Sequence, residues 1–332
     1  MPTQPLLRVD NLHVAFGSSE ILRGVTFDLE AGQTLGVVGE SGCGKSMTGF
    51  AIMGMIPPPG KVTAGSILLE GRNLAGAKER EYRKIRGKDI ALVMQDPFTS
   101  LNPMMRVGDQ IAESLWLHQD MDKRRARVEA VGMLEKVGVP AAQSSANKFP
   151  HQMSGGQRQR VVIAMAFACR PKVLIADEPT TALDVTLQAQ ILRLIRELQE
   201  KEGTAVMLIS HDIGAIASIS SRIAVFYAGR IVETGPAPKV LRHAAMPYTR
   251  ALLASLPVPG KKRLESIEGQ PPDLSHLPQG CAFKPRCKFR IPKCEEEPPL
   301  LQVEPDHTSA CWRADEVERL TMAEDQTSTR QP

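Results

Sequence analysis

Eight consecutive residues, Gly39, Glu40, Ser41, Gly42, Cys43, Gly44, Lys45 and Ser46, carry the densest chemistry in the chain. They read G-x-x-x-x-G-K-S, follow the apolar run Thr34 to Val38, and precede a stretch of helical composition, Met47 to Met55. Strand, glycine-rich turn and helix together are the context a phosphate-cradling loop needs. The glycines let the backbone wrap a polyphosphate with its N–H groups inward, and the helix start adds partial positive charge. Lys45 offers a full charge to β- and γ-phosphates, and the Ser46 hydroxyl is placed to ligate Mg²⁺. The eight residues, with Met47 opening the helix behind them, are therefore read as a nucleotide-phosphate site.

Other chemistry-bearing residues fall at the ends of short apolar runs. Lys172 to Ala176 ends on Asp177 and Glu178. Two adjacent carboxylates at the carboxyl end of a buried strand stand where ligands bind in an open parallel sheet. Asp177 suits a Mg²⁺-holding role and Glu178 the orientation and deprotonation of an attacking water; the plain alternative is a pair of helix-capping acids. Thr204 to Ile209 ends at Ser210, His211 and Asp212, which puts His211 at the same sheet edge and within reach of a γ-phosphate. Ser154, Gly155, Gly156 and Gln157 open a helix running to about Cys169, as an ordinary N-cap or as a second anion-binding terminus. Phe16 ends a strand shortly before the phosphate loop; base stacking and core packing are equally open to it.

The elements that must position these groups alternate between strand and helix patterns. Leu6 to Phe16 and Ile21 to Leu29 alternate apolar and polar residues as strands do, and Val62 to Leu69 and Ile90 to Met94 are also strand-like. Gln95 follows the last of these, and Phe98 to Pro103 reads as a loop. A helical region from about Asp109 to Lys148, with Val128, Val131, Leu134 and Val137 as its apolar positions, looks like a helical subdomain inserted in an α/β core. Leu187, Ile191, Leu194, Ile195 and Leu198 form one face of a further helix. Pro236 to Gly280 is rich in proline and reads as a linker with one short helix, Tyr248 to Leu256.

With 332 residues, 42% apolar, the chain is long enough for one large or two modest domains. A net charge of +4 with both signs plentiful gives no case for a nucleic-acid surface. Met1 to Pro5 lacks the basic and apolar regions of a signal peptide, and the longest apolar run, Val161 to Cys169, is too short to span a bilayer. A cytosolic chain that meets a membrane only through a partner is expected, and disulfides are disfavoured there. Cys43 lies in the phosphate loop and Cys169 closes an apolar helix. Cys281, Cys287, Cys294 and Cys311 crowd into 31 residues. Structural zinc prefers tighter pairs, whereas a cubane iron–sulfur cluster tolerates looser spacing. Spacing alone leaves zinc and cluster open.

Taken in order, these pieces resemble the ATP-binding subunits of ABC transporters. The chain carries a Walker A loop (Gly39 to Ser46), a Q-loop glutamine (Gln95) and a signature (Ser154 to Gln157). Walker B follows (Val173 to Asp177, then Glu178), with a D-loop, Ala182 to Asp184, and an H-loop, His211. Phe16 falls at the A-loop aromatic position, and Met153 stands where leucine is usual, a volume-conserving swap. The match is closer to the ATPase subunits of dipeptide/oligopeptide importers. It is carried by Gln95 to Pro103, Ala182 to Gln190, Met246 to Thr249 (methionine where that family mostly has histidine) and Gly280 to Cys287.

The resemblance implies a P-loop NTPase fold of α/β class, with an antiparallel β subdomain and a helical subdomain. The nucleotide-binding domain would cover 1–256, its helical subdomain about 96–165, with a four-cysteine segment at 257–318 and a flexible tail at 319–332. It implies ATP hydrolysis with Lys45, Glu178 and His211 in the chemistry, and Mg²⁺ on Ser46, Gln95 and Asp177. ATP contacts would come from Phe16, Gly39 to Met47, Gln95 and Asp177. Ser154 to Gln157 and Asp184 would complete the site of a second, related ATPase subunit. It further implies two membrane permease subunits, an extracytoplasmic binding protein acting indirectly, a position on the cytoplasmic face of the cell membrane, and a 4Fe–4S cluster on Cys281, Cys287, Cys294 and Cys311. Nickel and other small-solute importers share the subfamily, and a soluble ABC ATPase uncoupled from transport is the other alternative.

Overall fold

A computed structural model describes residues 4–181, 183–256, 267–317 and 319–320. Ala182 of the expected D-loop, the start of the cysteine segment at 257–266, residue 318 and the tail from 321 lie outside the described residues.

The chain begins with β1 (Leu7–Phe16) and β2 (Ser19–Leu29), an antiparallel pair whose inward positions, Leu7, Val9, Leu12, Leu22, Val25 and Leu29 among them, are buried. β3 (Thr34–Val38) is buried along its whole length, as a strand covered on both faces must be. It runs into α1 (Lys45–Ile52). β4 (Lys61–Leu69) and β5 (Arg72–Asn73) complete a four-stranded antiparallel sheet in the order β2-β1-β4-β5, the expected β subdomain. α2 (Glu79–Ile85) leads to β6 (Ile90–Val93).

Between β6 and the next strand the chain is helical: α3 (Pro97–Ser100), α4 (Val107–His118), α5 (Lys123–Lys136), α6 (Ala142–Ser145) and α7 (Gly155–Phe167). The loop expected over Phe98 to Pro103 is thus partly helix. Asp96 accepts a hydrogen bond from the Phe98 N–H, and Pro97 supplies the right φ for a first helical residue, so a local cap overrides the loop-like composition. The stripe expected on α5 holds at Val131, Leu134 and Val137, which are buried together with Ala126, Ala130 and Met133, and fails at Val128, which is exposed. A strict three-residue step drifts about 60° per repeat on a helix of 3.6 residues per turn, which carries the outermost of the four positions off the buried face.

β7 (Val173–Asp177), α8 (Val185–Glu202), β8 (Ala205–Ser210) and α9 (Ile213–Ala217) return the chain to the core. Asp184 caps α8 by accepting the Leu187 N–H at 2.9 Å, and Gly203 ends it in the left-handed region. Its face of Ile191, Leu194, Ile195 and Leu198 is buried; Leu187 is only half-buried. Each fully buried aliphatic side chain contributes about 1.5–3 kcal/mol.

β9 (Arg222–Tyr227) and β10 (Arg230–Pro236) follow. The stretch expected to be mostly linker then holds two helices, α10 (Ala237–Arg242) and α11 (Pro247–Ala254). Late in the cysteine segment β11 (Leu301–Glu304) and β12 (His307–Ser309) join the main sheet, whose order is β11-β12-β10-β9-β3-β8-β7-β6. β3 pairs in parallel with β8 and β9, and β7 with β8 and β6. The carboxyl ends of β3, β6, β7 and β8 therefore share one edge, where an open parallel sheet presents its ligand crevice.

Candidate active site

At that edge the loop after β3 turns through three glycines with positive φ: Gly39 (152°), Gly42 (79°) and Gly44 (104°). A Cβ at Gly39 would lie 2.3 Å from the Phe226 carbonyl oxygen, and one at Gly44 would lie 2.7 Å from the Leu22 side chain. Only glycine permits both the torsions and the approach. Lys45 is buried and folds back over the loop, its Nζ donating to the carbonyls of Gly39 and Glu40 at 2.8 Å each. Cys43 is buried beside it, Sγ 3.7 Å from Nζ; burial pushes its thiol up while Lys45 pulls it down.

One residue further, the Ser46 hydroxyl donates to Asp177 Oδ1 at 3.0 Å, which brings two expected Mg²⁺ ligands together. Burial pushes the Asp177 carboxyl above the usual carboxylate range; Ser46 pulls it down, Glu178 pushes it up and Lys45 opposes. A divalent cation on this pair would favour the ionised form.

Glu178 is the convergence point. Its Oε2 accepts from Gln95 Nε2 at 3.0 Å and from the Thr181 hydroxyl at 2.9 Å, and its Oε1 lies 3.2 Å from His211 Nδ1. The ends of β6, β7 and β8 thus meet on one carboxylate. Its backbone stands at φ +47°, a left-handed conformation that strains a non-glycine residue, and is fixed by an N–H bond to the Ile209 carbonyl at 2.9 Å. His211 is 62% exposed, so this cluster opens to solvent.

The structure leaves other expected residues apart. Ser154 caps α7, accepting the Gln157 N–H at 3.4 Å while Gln157 Oε1 accepts the Ser154 N–H at 3.2 Å. Among the described residues no hydrogen bond or ion pair joins Ser154, Gly155, Gly156 or Gln157 to the phosphate loop of the same chain. Asp184 is engaged as the α8 cap. Phe16 is half-buried, with Gly60 close against its ring.

Two partners of the loop escaped sequence reasoning. The Glu40 carboxylate pairs with Arg286, and the Glu40 N–H donates to the Tyr248 hydroxyl. No spacing signal links positions so far apart. Two cations next to the cysteines in sequence are each paired with a carboxylate: Arg286 with Glu40, Lys284 with Glu295.

Cys281, Cys287, Cys294 and Cys311 are free and half-buried. The Cys281 N–H donates to the Cys294 carbonyl at 2.9 Å. Burial pushes the Cys287 and Cys311 thiols up to about 11 and about 12, with neighbouring thiols adding to the effect: Cys281 and Cys294 act on both, and Cys287 acts on Cys311. The four are therefore mutual neighbours. Among the described residues, though, no three His, Cys, Asp or Glu side chains converge closely enough to hold a metal ion.

Comparison with known families and structures agrees with this geometry. The ABC transporter family matches residues 22–181, and the oligopeptide/dipeptide transporter C-terminal region matches 232–294. The chain is 49% identical to the oligopeptide transport ATP-binding protein OppD of Bacillus subtilis (strain 168), covering 92% of this chain and 88% of that one. It is 47% identical to the dipeptide transport ATP-binding protein DppD of the same organism, covering 94% and 96%. A solved ATP-binding cassette in a dimeric post-hydrolysis state with ADP and Pi superposes with a TM-score of 0.62 at 27% identity, covering 70% of this chain and 98% of that one. Among the described residues no helix is long and apolar enough to cross a membrane. The chain belongs to the oligopeptide/dipeptide transport ATP-binding family of ABC transporters, and it is an ATP-hydrolysing transport ATPase.

Proposed function

We propose that this ATPase powers uptake of di- or oligopeptides through a membrane importer, working as a peripheral subunit on the cytoplasmic face. The cargo reading rests on relatives named for oligopeptide and dipeptide transport that match nearly the whole chain, the cysteine-bearing region included. Its partners are a second, related ATPase subunit and two permease subunits, with an extracytoplasmic peptide-binding protein acting through them. The separation of Ser154–Gln157 from the phosphate loop of its own chain supports a role in completing the partner's site, as does Asp184 at the start of α8.

The observation that carries the mechanism is the convergence on Glu178. The loop amides and Lys45 hold the β- and γ-phosphates and Phe16 lies against the base; Ser46, Asp177 and Gln95 would hold Mg²⁺, which would supply charge neutralisation at the phosphate oxygens. Glu178 accepts a proton from a water as its oxygen attacks the γ-phosphorus; the bond to the bridging oxygen breaks, leaving ADP and phosphate. His211 orients Glu178 and contacts the γ-phosphate. Gln95, at once on Glu178 and at the threshold of the helical subdomain, relays nucleotide state toward the permeases.

The four cysteines are read as ligands of a 4Fe–4S cluster with a structural or sensing role. The support is a set of four free thiols, the number a cubane takes, near enough in the fold to raise one another's pKa, although among the described residues no group of side chains is arranged to hold a metal ion. Co-purification with two integral membrane proteins, and peptide uptake lost with Lys45→Ala, test the transport reading. A chain that fractionates alone, with uptake unchanged, would refute it. Anaerobic purification with iron and zinc analysis tests the cluster; one zinc and no iron would remove it.

A further inference from the structure

The phosphate loop is gripped from outside by residues more than 200 positions away. Arg286 Nη1 donates to Glu40 Oε2 at 2.6 Å and Nη2 to Oε1 at 2.8 Å, a bidentate fork. Two further donors of Arg286 are also used: Nε on the Glu268 carbonyl at 3.0 Å, and Nη1 again on the Tyr227 hydroxyl at 3.4 Å. The Arg286 side chain is 5% exposed and that of Glu40 21%. Beside the pair Tyr227, Tyr248 and Phe283 meet with ring centroids 4.5–5.4 Å apart. From this cluster the Tyr248 hydroxyl accepts the Glu40 N–H at 2.8 Å.

Glu40 is therefore held at its side chain and at its N–H, and its carbonyl is one of the two that receive Lys45 Nζ. A shift of Glu40 would move the cradle on which Lys45 rests. A buried pair of this kind returns little net stability once desolvation is counted, and geometric specificity is the better account of it. Arg286 adjoins Cys287, on the turn whose Cys281 N–H bonds to the Cys294 carbonyl.

We infer that Arg286 is a positioning residue for ATP binding: acting through Glu40, it fixes the phosphate loop and Lys45 in binding geometry and makes the cysteine-bearing segment part of the nucleotide site. This rests on the reading of Gly39–Ser46 as the ATP site. Glu178 and its neighbours are untouched by the clamp, so its loss weakens nucleotide affinity and spares turnover at saturation.

The test uses the full chain and its assembled transporter, with Arg286→Gln, Arg286→Lys, Glu40→Gln and the double variant Glu40→Gln/Arg286→Gln. Affinity for a fluorescent ATP analogue, unfolding temperature, and KM and kcat for ATP are measured. Each single change, lysine included because it lacks the fork, weakens binding about tenfold, the equivalent of one charge-assisted hydrogen bond. The double variant is no weaker than the worse single, and KM rises while kcat stays within about threefold. Binding within twofold of wild type in both Arg286→Gln and Glu40→Gln overturns the clamp, as does a double variant that loses the product of the two. Should Arg286→Gln fail to fold, Glu40→Gln decides alone by the same twofold limit. Lys45→Ala separates the levels: if it binds ATP normally, the ATP-site reading falls first and the clamp with it.

Discussion

Replacing Glu178 by glutamine removes one charge and almost no volume, so the loss can be worked from its contacts. An amide oxygen in the place of Oε2 still accepts from both Thr181 and Gln95, now at 2.9 and 3.0 Å, while the amide nitrogen takes the place of Oε1 against His211 Nδ1, now at 3.2 Å, a mismatch where that nitrogen carries a proton. That mismatch costs at most about two hydrogen bonds of 0.5–1.5 kcal/mol each. Lys45, Ser46 and Asp177 are not disturbed, so ATP affinity is expected within about threefold of wild type. The chemical step loses its base, which a positioned carboxylate makes worth about 10²–10⁴ in rate, or roughly 2.7–5.4 kcal/mol of barrier. Phosphate release by the assembled transporter at saturating ATP should fall by at least about a hundredfold. ATP held without hydrolysis should accumulate a closed pair of ATPase subunits, visible as a larger particle in solution. Turnover within about threefold of wild type, with ATP bound normally, would refute Glu178 as the base.

Other expectations follow from burial. Ile195→Ala in α8 should cost about 2–5 kcal/mol and lower the unfolding temperature, whereas Val128→Ala, on the exposed face of α5, should stay within about 0.5 kcal/mol. His307 and Glu233 are both fully buried, 2.8 Å apart, with Glu233 also accepting the N–H groups of Ala245 and Met246. His307→Ala should cost about 3 kcal/mol in chemical denaturation, because Glu233 keeps only its backbone donors; the pair replaced by apolar residues should lose less. In metal-free protein, Cys287 and Cys311 should alkylate slowly at pH 8 and faster toward pH 10 and above, measured by mass spectrometry. Their folded-state values lie above the ordinary thiol range, so their contribution is intact below about pH 9 and is lost as pH climbs through 11 to 12.

The phosphate loop and its flanks were legible because every requirement there is local: a buried strand, glycines at the turn, a helix behind. Asp177, Glu178, Gln95 and His211 were legible for a related reason. Each follows a short apolar run, and in a parallel sheet the ends of such runs share an edge. α3 was misread because a cap made by one aspartate and one proline outweighs a loop-like composition. β11 and β12 gave no signal, since LQVE and HTS are short and largely polar; they form because β10 offers an edge to pair with. Strand propensity reports fit to a half-buried surface, and here that surface exists only after the rest has folded.

The same reasoning changes what the C-terminal segment is. Read from composition, it is a proline-rich linker and four cysteines appended to an ATPase. In the fold it supplies β12 to the main sheet, His307 to the buried carboxylate of Glu233, and Glu297 to both Arg23 and Arg230. It also supplies Arg286 to the first variable residue of the phosphate loop. The His307–Glu233 contact is fully buried and the Arg286–Glu40 pair partly so, each more costly to leave half-made than to keep, so the segment cannot detach without stranding polar groups on the ATPase side. An ATPase domain cut at residue 256 would keep every residue assigned to hydrolysis and yet carry a buried Glu233 left with only its backbone donors and a loosened Glu40. Such a truncation should therefore aggregate or bind ATP weakly, although nothing in its own catalytic cluster has been removed.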